Sequence, residues 1–480
     1  MAETTNDTKV TSYIDVVHSK DTKRIVLPEN MTEKEAIVAL ERKRAEQNEW
    51  VKIHEPTTAY PLDGALAMMK AIAEQYGWAN LRPTPGFFGP NPPTMVAVSI
   101  SPSEKVQVPW GRIEIPGIEG HLQTGIYEVK GRPAFVIGGE VRRKNERAIA
   151  TLAARVREIV AEESIYRAKA IKINFGTFDS IEDYNPTFMD LSQVDPSQLI
   201  LSADVMDAVN TSVFTPIERT ELCRTHKIPL KRGVCLAGPY GTGKTLTARV
   251  TAYKAVTNGW TYIYLENVDD LDKAISFAKM YQPAVIFAED IDQALGSQKR
   301  TKDENAVLNT IDGIDSKADE IMVILTTNHV EKLSKAMLRP GRLDAVIAVQ
   351  PPDRDAVKQL IRLYARDMLA KDANLESVAD LLAGEIPATI REVVERSKMA
   401  AIATATNGRL ALTDRALEIA ARGMRSHLEL LKPQPVDTRS DIEKAATELA
   451  LVVKGVETDG VRVTEAIKKH RSMAPSVLNS

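Results

Sequence analysis

The chain has 480 residues, of which 62 are lysine or arginine and 65 are aspartate or glutamate, giving a formal net charge of −3. A chain of this length provides for about two to four domains. The near-neutral charge supplies no general basic field, so the composition does not point to a nucleic-acid partner.

The cysteine content and the hydropathy pattern predict a cytoplasmic protein. Cys223 and Cys235 are the only cysteines, too few for a disulfide framework and without the spacing of a zinc site. Met1–Lys20 is polar and charged, so we expect no secretory signal. No stretch of about 18 uninterrupted apolar residues occurs, so we expect neither a membrane span nor a membrane partner.

The N-terminal segment begins with a polar stretch and continues into a helix. Residues 1–30 are predicted to form a flexible tail. Thr32 and Glu35 have the spacing of a capping box, in which each side chain accepts a hydrogen bond from the other residue's backbone. We therefore expect a helix that begins after Thr32 and ends near Asn48.

Residues 31–81 are predicted to form a small helical N-terminal domain. Residues 50–54 alternate in the manner of a short strand, and Asp63 is a candidate N-cap for a second helix that stops at Gly77. Residues 82–93 are rich in proline and glycine, which indicates a linker or a long turn.

Residues 94–200 are predicted to form an α+β domain followed by a linker. Short apolar runs punctuated by glycine and proline indicate strands, and the stretch 147–163 has apolar residues at helical spacing. The predicted strands are 96–100, 112–115, 125–129, 134–137 and 170–175.

From residue 201 to residue 352, apolar strand-like runs alternate with helical stretches, which indicates βαβ units and a parallel sheet. The predicted strands are 234–237, 261–265, 284–288, 321–326 and 345–349. Residues 353–425 have a helical pattern, which we interpret as a C-terminal helical lid, and residues 426–480 are expected to add a helical extension.

A phosphate-binding loop follows the first of these strands. It consists of Gly238, Pro239, Tyr240, Gly241, Thr242, Gly243, Lys244 and Thr245, and a helix continues from Leu246. The glycines let the backbone wrap around phosphate, Lys244 can reach the β and γ phosphates, and the Thr245 hydroxyl can bind Mg²⁺. The helix directs its first amides at the anion, so the motif predicts that ATP binds here.

A second acidic motif follows the apolar strand 284–288. Glu289 and Asp290 supply the two carboxylates that an ATPase requires: Glu289 takes the place beside Mg²⁺ and Asp290 the place that orients the attacking water. Both acids, together with Thr245, are candidate metal ligands. With the loop, they predict ATP and Mg²⁺ as cofactors and ATP hydrolysis as the reaction.

Taken together, these motifs resemble the AAA family of ATPases. The stretch Leu325-Thr326-Thr327-Asn328 resembles the sensor-1 strand end, which implies that Asn328 lies beside the γ phosphate. The stretch 338–344 resembles the second region of homology, which makes Arg339 and Arg342 candidate arginine fingers for the ATP of a neighbouring subunit. The resemblance thus implies a homo-oligomer, usually a hexameric ring.

The resemblance also implies the fold: an α/β protein whose AAA+ parallel-sheet core carries a C-terminal helical lid and follows an α+β N-terminal region. Arg391 occupies a place similar to sensor 2, where an arginine contacts the nucleotide. The alternative for Arg391 is a surface arginine paired with Glu395 one helical turn later.

Two departures from the family pattern bear on activity. The usual order at the acidic motif is Asp then Glu, whereas this chain has Glu289 then Asp290, an order that it shares with Bcs-type AAA proteins. Because the aspartate is shorter, the order leaves slow hydrolysis open. Residues 266–273 lack the aromatic-hydrophobic-glycine triplet with which many family members grip a threaded chain.

The leading hypothesis is an oligomeric ATPase motor that remodels a protein substrate, recognised directly or through an adaptor by the N-terminal domains. Two alternatives remain open: a nucleic-acid motor or loader, and an assembly scaffold with slow hydrolysis.

Overall fold

The computed structural model of the chain describes residues 30–87, 89–129, 132–173, 175, 180–291, 319–329, 343–404 and 411–431. The predicted tail before residue 30 and the extension beyond residue 431 lie outside these residues, as do Arg339 and Arg342.

The N-terminal part combines helices with antiparallel strands. Its elements are α1 (Glu33–Gln47), β1 (Trp50–Pro56), α2 (Pro61–Tyr76), β2 (Asn80–Arg82), β3 (Thr84–Gly86), β4 (Gly89–Asn91), β5 (Thr94–Ser99), β6 (Lys105–Trp110), β7 (Arg112–Glu114), β8 (Gly120–Val129), β9 (Arg132–Arg142) and α3 (Glu146–Glu163). The predicted capping box is confirmed: the Thr32 backbone amide donates to Glu35 Oε2 at 2.9 Å, and the Glu35 amide donates to Thr32 Oγ1 at 3.4 Å.

A five-stranded antiparallel sheet organises this part, in the order β1-β9-β8-β7-β2. Helices α2 and α3 pack together and against the sheet. Gly64 permits the close approach of α2 to β9, because a Cβ atom at this position would lie 2.3 Å from Phe135 Cβ. Since β1 pairs with β9, residues 31–81 and 94–163 share one sheet rather than forming the two separate domains expected. Part of the expected linker forms the β3–β4 hairpin.

The expected capping role of Asp63 is wrong. Helix α2 begins two residues earlier, at Pro61, whose fixed φ angle suits the first helical position. Asp63 is instead buried, and its carboxylate accepts hydrogen bonds from Ser164 Oγ at 2.8 Å, the Ile165 amide at 3.0 Å and the Tyr281 hydroxyl at 3.0 Å. The carboxylate thus connects the N-terminal sheet region to the segment that precedes β14.

The second part alternates strands and helices. Its elements are β10 (Ala170–Ile173), β11 (Thr187–Phe188), α4 (Ala203–Val209), α5 (Thr215–Glu218), α6 (Thr220–Thr225), β12 (Arg232–Ala237), α7 (Lys244–Thr257), β13 (Thr261–Leu265), α8 (Leu271–Ala278), β14 (Ala284–Ala288), β15 (Ile321–Thr327) and β16 (Ala345–Ala348).

The strands form a seven-stranded sheet in the order β11-β10-β13-β14-β15-β12-β16, parallel except for β11. The predicted parallel sheet is confirmed. It includes β10, so the α/β core begins near Ala170 and not at residue 201 as expected. The strands β12, β14 and β15 are almost fully buried, as the central strands of a sheet covered on both faces should be.

The C-terminal part is helical, as predicted. Its helices are α9 (Arg354–Ala365), α10 (Glu376–Leu382), α11 (Pro387–Thr404) and α12 (Asp414–Leu431). The chain divides into two compact units, and the larger contains residues up to Arg366 together with Leu382–Glu392. Across the described part of the chain, no helix combines the length and the apolar character that crossing a bilayer requires.

Candidate active site

The candidate site lies where three neighbouring parallel strands end. Strands β14, β15 and β12 are adjacent in the sheet, so their carboxyl ends meet at one edge. The phosphate-binding loop follows β12, the acidic pair follows β14, and Asn328 follows β15. Ligands of open α/β sheets bind at such carboxyl ends, and the topology therefore brings the three predicted motifs together.

The phosphate-binding loop holds a buried positive charge. Gly241 and Gly243 have φ angles of 77° and 106°, in the left-handed region that glycine adopts without a steric penalty. Lys244 is 8% exposed, and its ammonium donates to the backbone oxygens of Gly238 at 2.7 Å and Pro239 at 2.8 Å. Helix α7 begins at Lys244, so its first amides and this ammonium provide a binding site for phosphate.

Two hydroxyl groups hold the Glu289 carboxylate. Thr245 Oγ1 donates to Glu289 Oε1 at 2.8 Å, and the Tyr264 hydroxyl donates to Glu289 Oε2 at 2.8 Å. Burial, together with the hydrogen bond to Glu289, raises the pKa of Tyr264, so the phenol keeps its proton and acts as the donor. Glu289 therefore lies against the hydroxyl that is predicted to bind Mg²⁺.

Asp290 takes a different direction from Glu289 because its backbone turns. Its φ angle is 51°, a left-handed conformation that costs a non-glycine residue about 1–3 kcal/mol and is often found at functional sites. The Asp290 amide donates to Thr326 Oγ1 at 3.0 Å, and Asn328 Nδ2 donates to Asp290 Oδ1 at 2.7 Å. The turn thus places the shorter carboxylate beside the predicted sensor residue.

These groups line a cavity of about 260 Å³. Its lining residues are Tyr240, Gly241, Gly243, Lys244, Thr245, Leu246, Glu289, Asp290, Thr326 and Asn328. The described residues contain no cluster of three or more His, Cys, Asp or Glu side chains that could hold a metal. One hydroxyl and one or two carboxylates fit Mg²⁺, which binds few protein oxygens and completes its shell with phosphate and water.

The sequence pattern of the ATPase family associated with various cellular activities (AAA) matches residues 234–351, the segment that contains all three motifs. The chain carries an AAA ATPase domain. The matched segment contains the loop, the acidic pair and Asn328, which are the groups that line the cavity.

Among curated proteins, the chain is 29% identical over 266 residues to the proteasome-activating nucleotidase of Methanocaldococcus jannaschii, covering 51% of this chain and 57% of the relative. It is 29% identical over 207 residues to the 26S proteasome regulatory subunit 8 homolog of Schizosaccharomyces pombe, covering 39% and 51%. It is 27% identical over 318 residues to the ATPase family AAA domain-containing protein 2 of Mus musculus, covering 60% and 30%. The chain thus spans about half the length of the first two relatives and less of the third.

Most predicted residues of the AAA domain converge in the cavity or support its loop. Gly238 and Pro239 accept from Lys244, and Thr242 Oγ1 donates to the Pro239 oxygen at 2.9 Å. Arg391 is not among the described residues that line the cavity; its guanidinium carbon lies 5.9 Å from the centre of the Tyr364 ring. Its role as sensor 2 therefore stays a prediction.

The sequence motifs did not predict the roles of three residues at the site. Tyr264 and Thr326 contact the acidic pair, and Ile386 packs beside the loop, where a Cβ atom added to Gly241 would lie 3.1 Å from Ile386 Cδ1. Adjacent parallel strands could have indicated Tyr264, because it pairs in register with Phe287, two residues before Glu289. No local pattern indicates Ile386.

Proposed function

We propose that this chain is an ATP-binding and ATP-hydrolysing AAA motor that acts as an oligomer and remodels a protein substrate. The observation that carries the proposal is the convergence of Lys244, Thr245, Glu289, Asp290 and Asn328 at the carboxyl ends of adjacent parallel strands. The set combines a phosphate-binding cation, oxygen ligands for a metal and a carboxylate that can orient water.

The phosphate-binding loop and Glu289 are the proposed binding groups for ATP and Mg²⁺. Lys244 and the first amides of α7 would bind the phosphates of ATP, and Thr245 and Glu289 would hold Mg²⁺. Bound Mg²⁺ would supply positive charge that offsets the charge developing on the phosphate oxygens. The protein contributes the fixed positions of these groups before substrate arrives.

Asp290 orients the attacking water and accepts its proton. The hydrogen bond from Asn328 holds Oδ1 of Asp290, a residue that lines the cavity, and the other oxygen is the proposed acceptor of the proton. The left-handed backbone at Asp290 turns the side chain toward Asn328, and we propose that this turn offsets the shorter reach of aspartate. The reversed acidic order is therefore compatible with hydrolysis.

The oligomer completes the site. We propose a homo-oligomeric ring, in line with the hexamers of the family, in which Arg339 and Arg342 of one subunit act on the ATP of the next. The names of two relatives associate them with the proteasome, which supports a protein as the substrate. We propose that the N-terminal sheet region recognises that substrate or an adaptor. Arg391 in the helical lid is the proposed sensor 2 residue.

We also propose that the protein works in the cytoplasm, where its two buried, reduced cysteines are stable. The proposed division of the chain is recognition in the N-terminal sheet region, nucleotide chemistry up to residue 352 and a helical lid over 353–425.

The proposal is tested by steady-state phosphate release from Mg·ATP, with Lys244→Ala as the loop variant. We expect the parent protein to release phosphate and Lys244→Ala to lose both release and nucleotide affinity. A parent that binds ATP without releasing phosphate above the variant would support the scaffold alternative. Stimulation by DNA would favour the nucleic-acid motor. A persistent monomer in light scattering with a slowly hydrolysed ATP analogue would contradict the shared site.

A further inference from the structure

The Glu289 carboxylate is anchored at both ends by different elements. One oxygen accepts from Thr245 at the start of α7, and the other accepts from Tyr264 near the end of β13. A glutamate side chain has one more rotatable bond than the aspartate expected at this place. With a single hydrogen bond, the carboxylate could still rotate about this additional side-chain bond. The second hydrogen bond prevents that rotation.

The Tyr264 ring is positioned by its neighbours on both sides in the sheet. Its partner in β14 is Phe287, and the two rings stack with centroids 6.4 Å apart and planes 10° apart. Its partner in β10 is Lys172, whose ammonium lies 5.9 Å from the ring centroid. Because these contacts involve the ring and not the hydroxyl, a phenylalanine would occupy the same place.

We propose that Tyr264 is a positioning residue that holds Glu289 in the orientation in which this carboxylate and Thr245 bind Mg²⁺. The proposal rests on the proposed nucleotide site but does not require hydrolysis. One oxygen of Glu289 accepts the hydrogen bond from the Tyr264 hydroxyl. The other oxygen therefore stays beside Thr245, where the two groups would bind the metal. Removal of the phenol hydroxyl therefore weakens metal binding without changing the phosphate-binding loop.

Tyr262 offers a matched control on the same strand. It lies two residues earlier, and its ring stacks on the same Phe287 with centroids 6.4 Å apart. Its hydroxyl is buried and has no hydrogen-bond partner among the described residues. Tyr262→Phe thus removes the same phenol hydroxyl from a ring that stacks on the same phenylalanine, without removing a hydrogen bond.

The test measures ADP binding to the full chain by calorimetry, once with Mg²⁺ and once with EDTA. The ratio of the two affinities is the magnesium enhancement. We expect Tyr264→Phe to reduce this enhancement by about tenfold, the usual effect of losing a hydrogen bond to a charged group. Its affinity for ADP in EDTA should equal that of the parent, and Tyr262→Phe should match the parent under both conditions.

A second arm asks whether Tyr264 acts through Glu289. In a Glu289→Asp background we expect the shorter carboxylate not to reach the phenol, so adding Tyr264→Phe should change the enhancement by less than about twofold. The proposal is overturned by an unchanged enhancement in Tyr264→Phe, by an equal loss in EDTA, or by a full tenfold effect in the Glu289→Asp background. A parent without magnesium enhancement overturns it too. Failure of hydrolysis is detected separately, as absent phosphate release.

Discussion

The buried carboxyl group of Asp63 makes stability depend on pH in a predictable direction. Burial raises the pKa of Asp63 from 3.8 to about 6, and the hydrogen bonds from Ile165, Ser164 and Tyr281 offset only part of this effect. The pKa is higher in the folded than in the unfolded chain, so folding favours the protonated form. The stabilisation is complete below about pH 4 and is lost as the pH rises through about 6.

The size of the effect follows from the two pKa values. Each pKa unit corresponds to about 1.4 kcal/mol, so the change from 3.8 to about 6 amounts to about 3 kcal/mol. Asp63→Asn cannot titrate. The free energy of unfolding of the parent minus that of Asp63→Asn should therefore fall by about 3 kcal/mol between pH 3.5 and pH 7.

The assay is urea unfolding of both proteins across this pH range, where titrations of all other groups cancel in the difference. Asp195 provides a control of opposite sign, because its exposed carboxylate has a pKa lowered by hydrogen bonds from Ser197. The difference between the parent and Asp195→Asn should rise as the pH increases. A parent-minus-Asp63→Asn difference that does not change with pH would refute the reasoning.

Three further predictions concern the loop, the sensor and the packing of a helix. Lys244→Ala should weaken binding of ADP at least about tenfold, measured by calorimetry, because it removes the buried cation of the loop; unchanged affinity would contradict its assigned role. Asn328→Ala should slow phosphate release at least about tenfold and leave ADP affinity within about twofold, because it releases Asp290 while the phosphate-binding groups belong to the loop; an equal loss of affinity would assign Asn328 to binding instead. Gly64→Ala should lower the free energy of unfolding by about 1–3 kcal/mol, because its Cβ atom would overlap Phe135. The control Gly423→Ala in helix α12 places its Cβ where no atom lies within 4 Å, so it should be neutral or stabilising. Equal effects of the two substitutions would contradict the close packing at Gly64.

Local patterns predicted the parts of the fold that depend on neighbouring residues in the chain. Strands β13 and β14 begin and end at the predicted residues, and the Thr32 capping box forms as expected. These signals depend on hydrophobic runs and on side-chain reach within a few residues. The three site motifs converge for a related reason: each follows a strand of one parallel sheet.

The features that were missed all depend on contacts between distant parts of the chain. Pairing of β1 with β9, the place of β10 beside β13, and the burial of Asp63 against Tyr281 leave no local pattern. A carboxylate near a helix start is as consistent with a cap as with a buried hydrogen-bond acceptor. Only the tertiary fold distinguishes the two, and the same holds for the phenol of Tyr264.

The division of labour between the two acids is the central claim, and phosphate release measured beside nucleotide binding tests it most directly. Asp290→Asn should keep the magnesium enhancement of ADP binding and lose phosphate release by on the order of 10²-fold or more, because it removes the group that accepts the water proton. Glu289→Gln should lose the magnesium enhancement itself. Normal phosphate release by Asp290→Asn, or loss of the enhancement in Asp290→Asn with its retention in Glu289→Gln, would contradict the account.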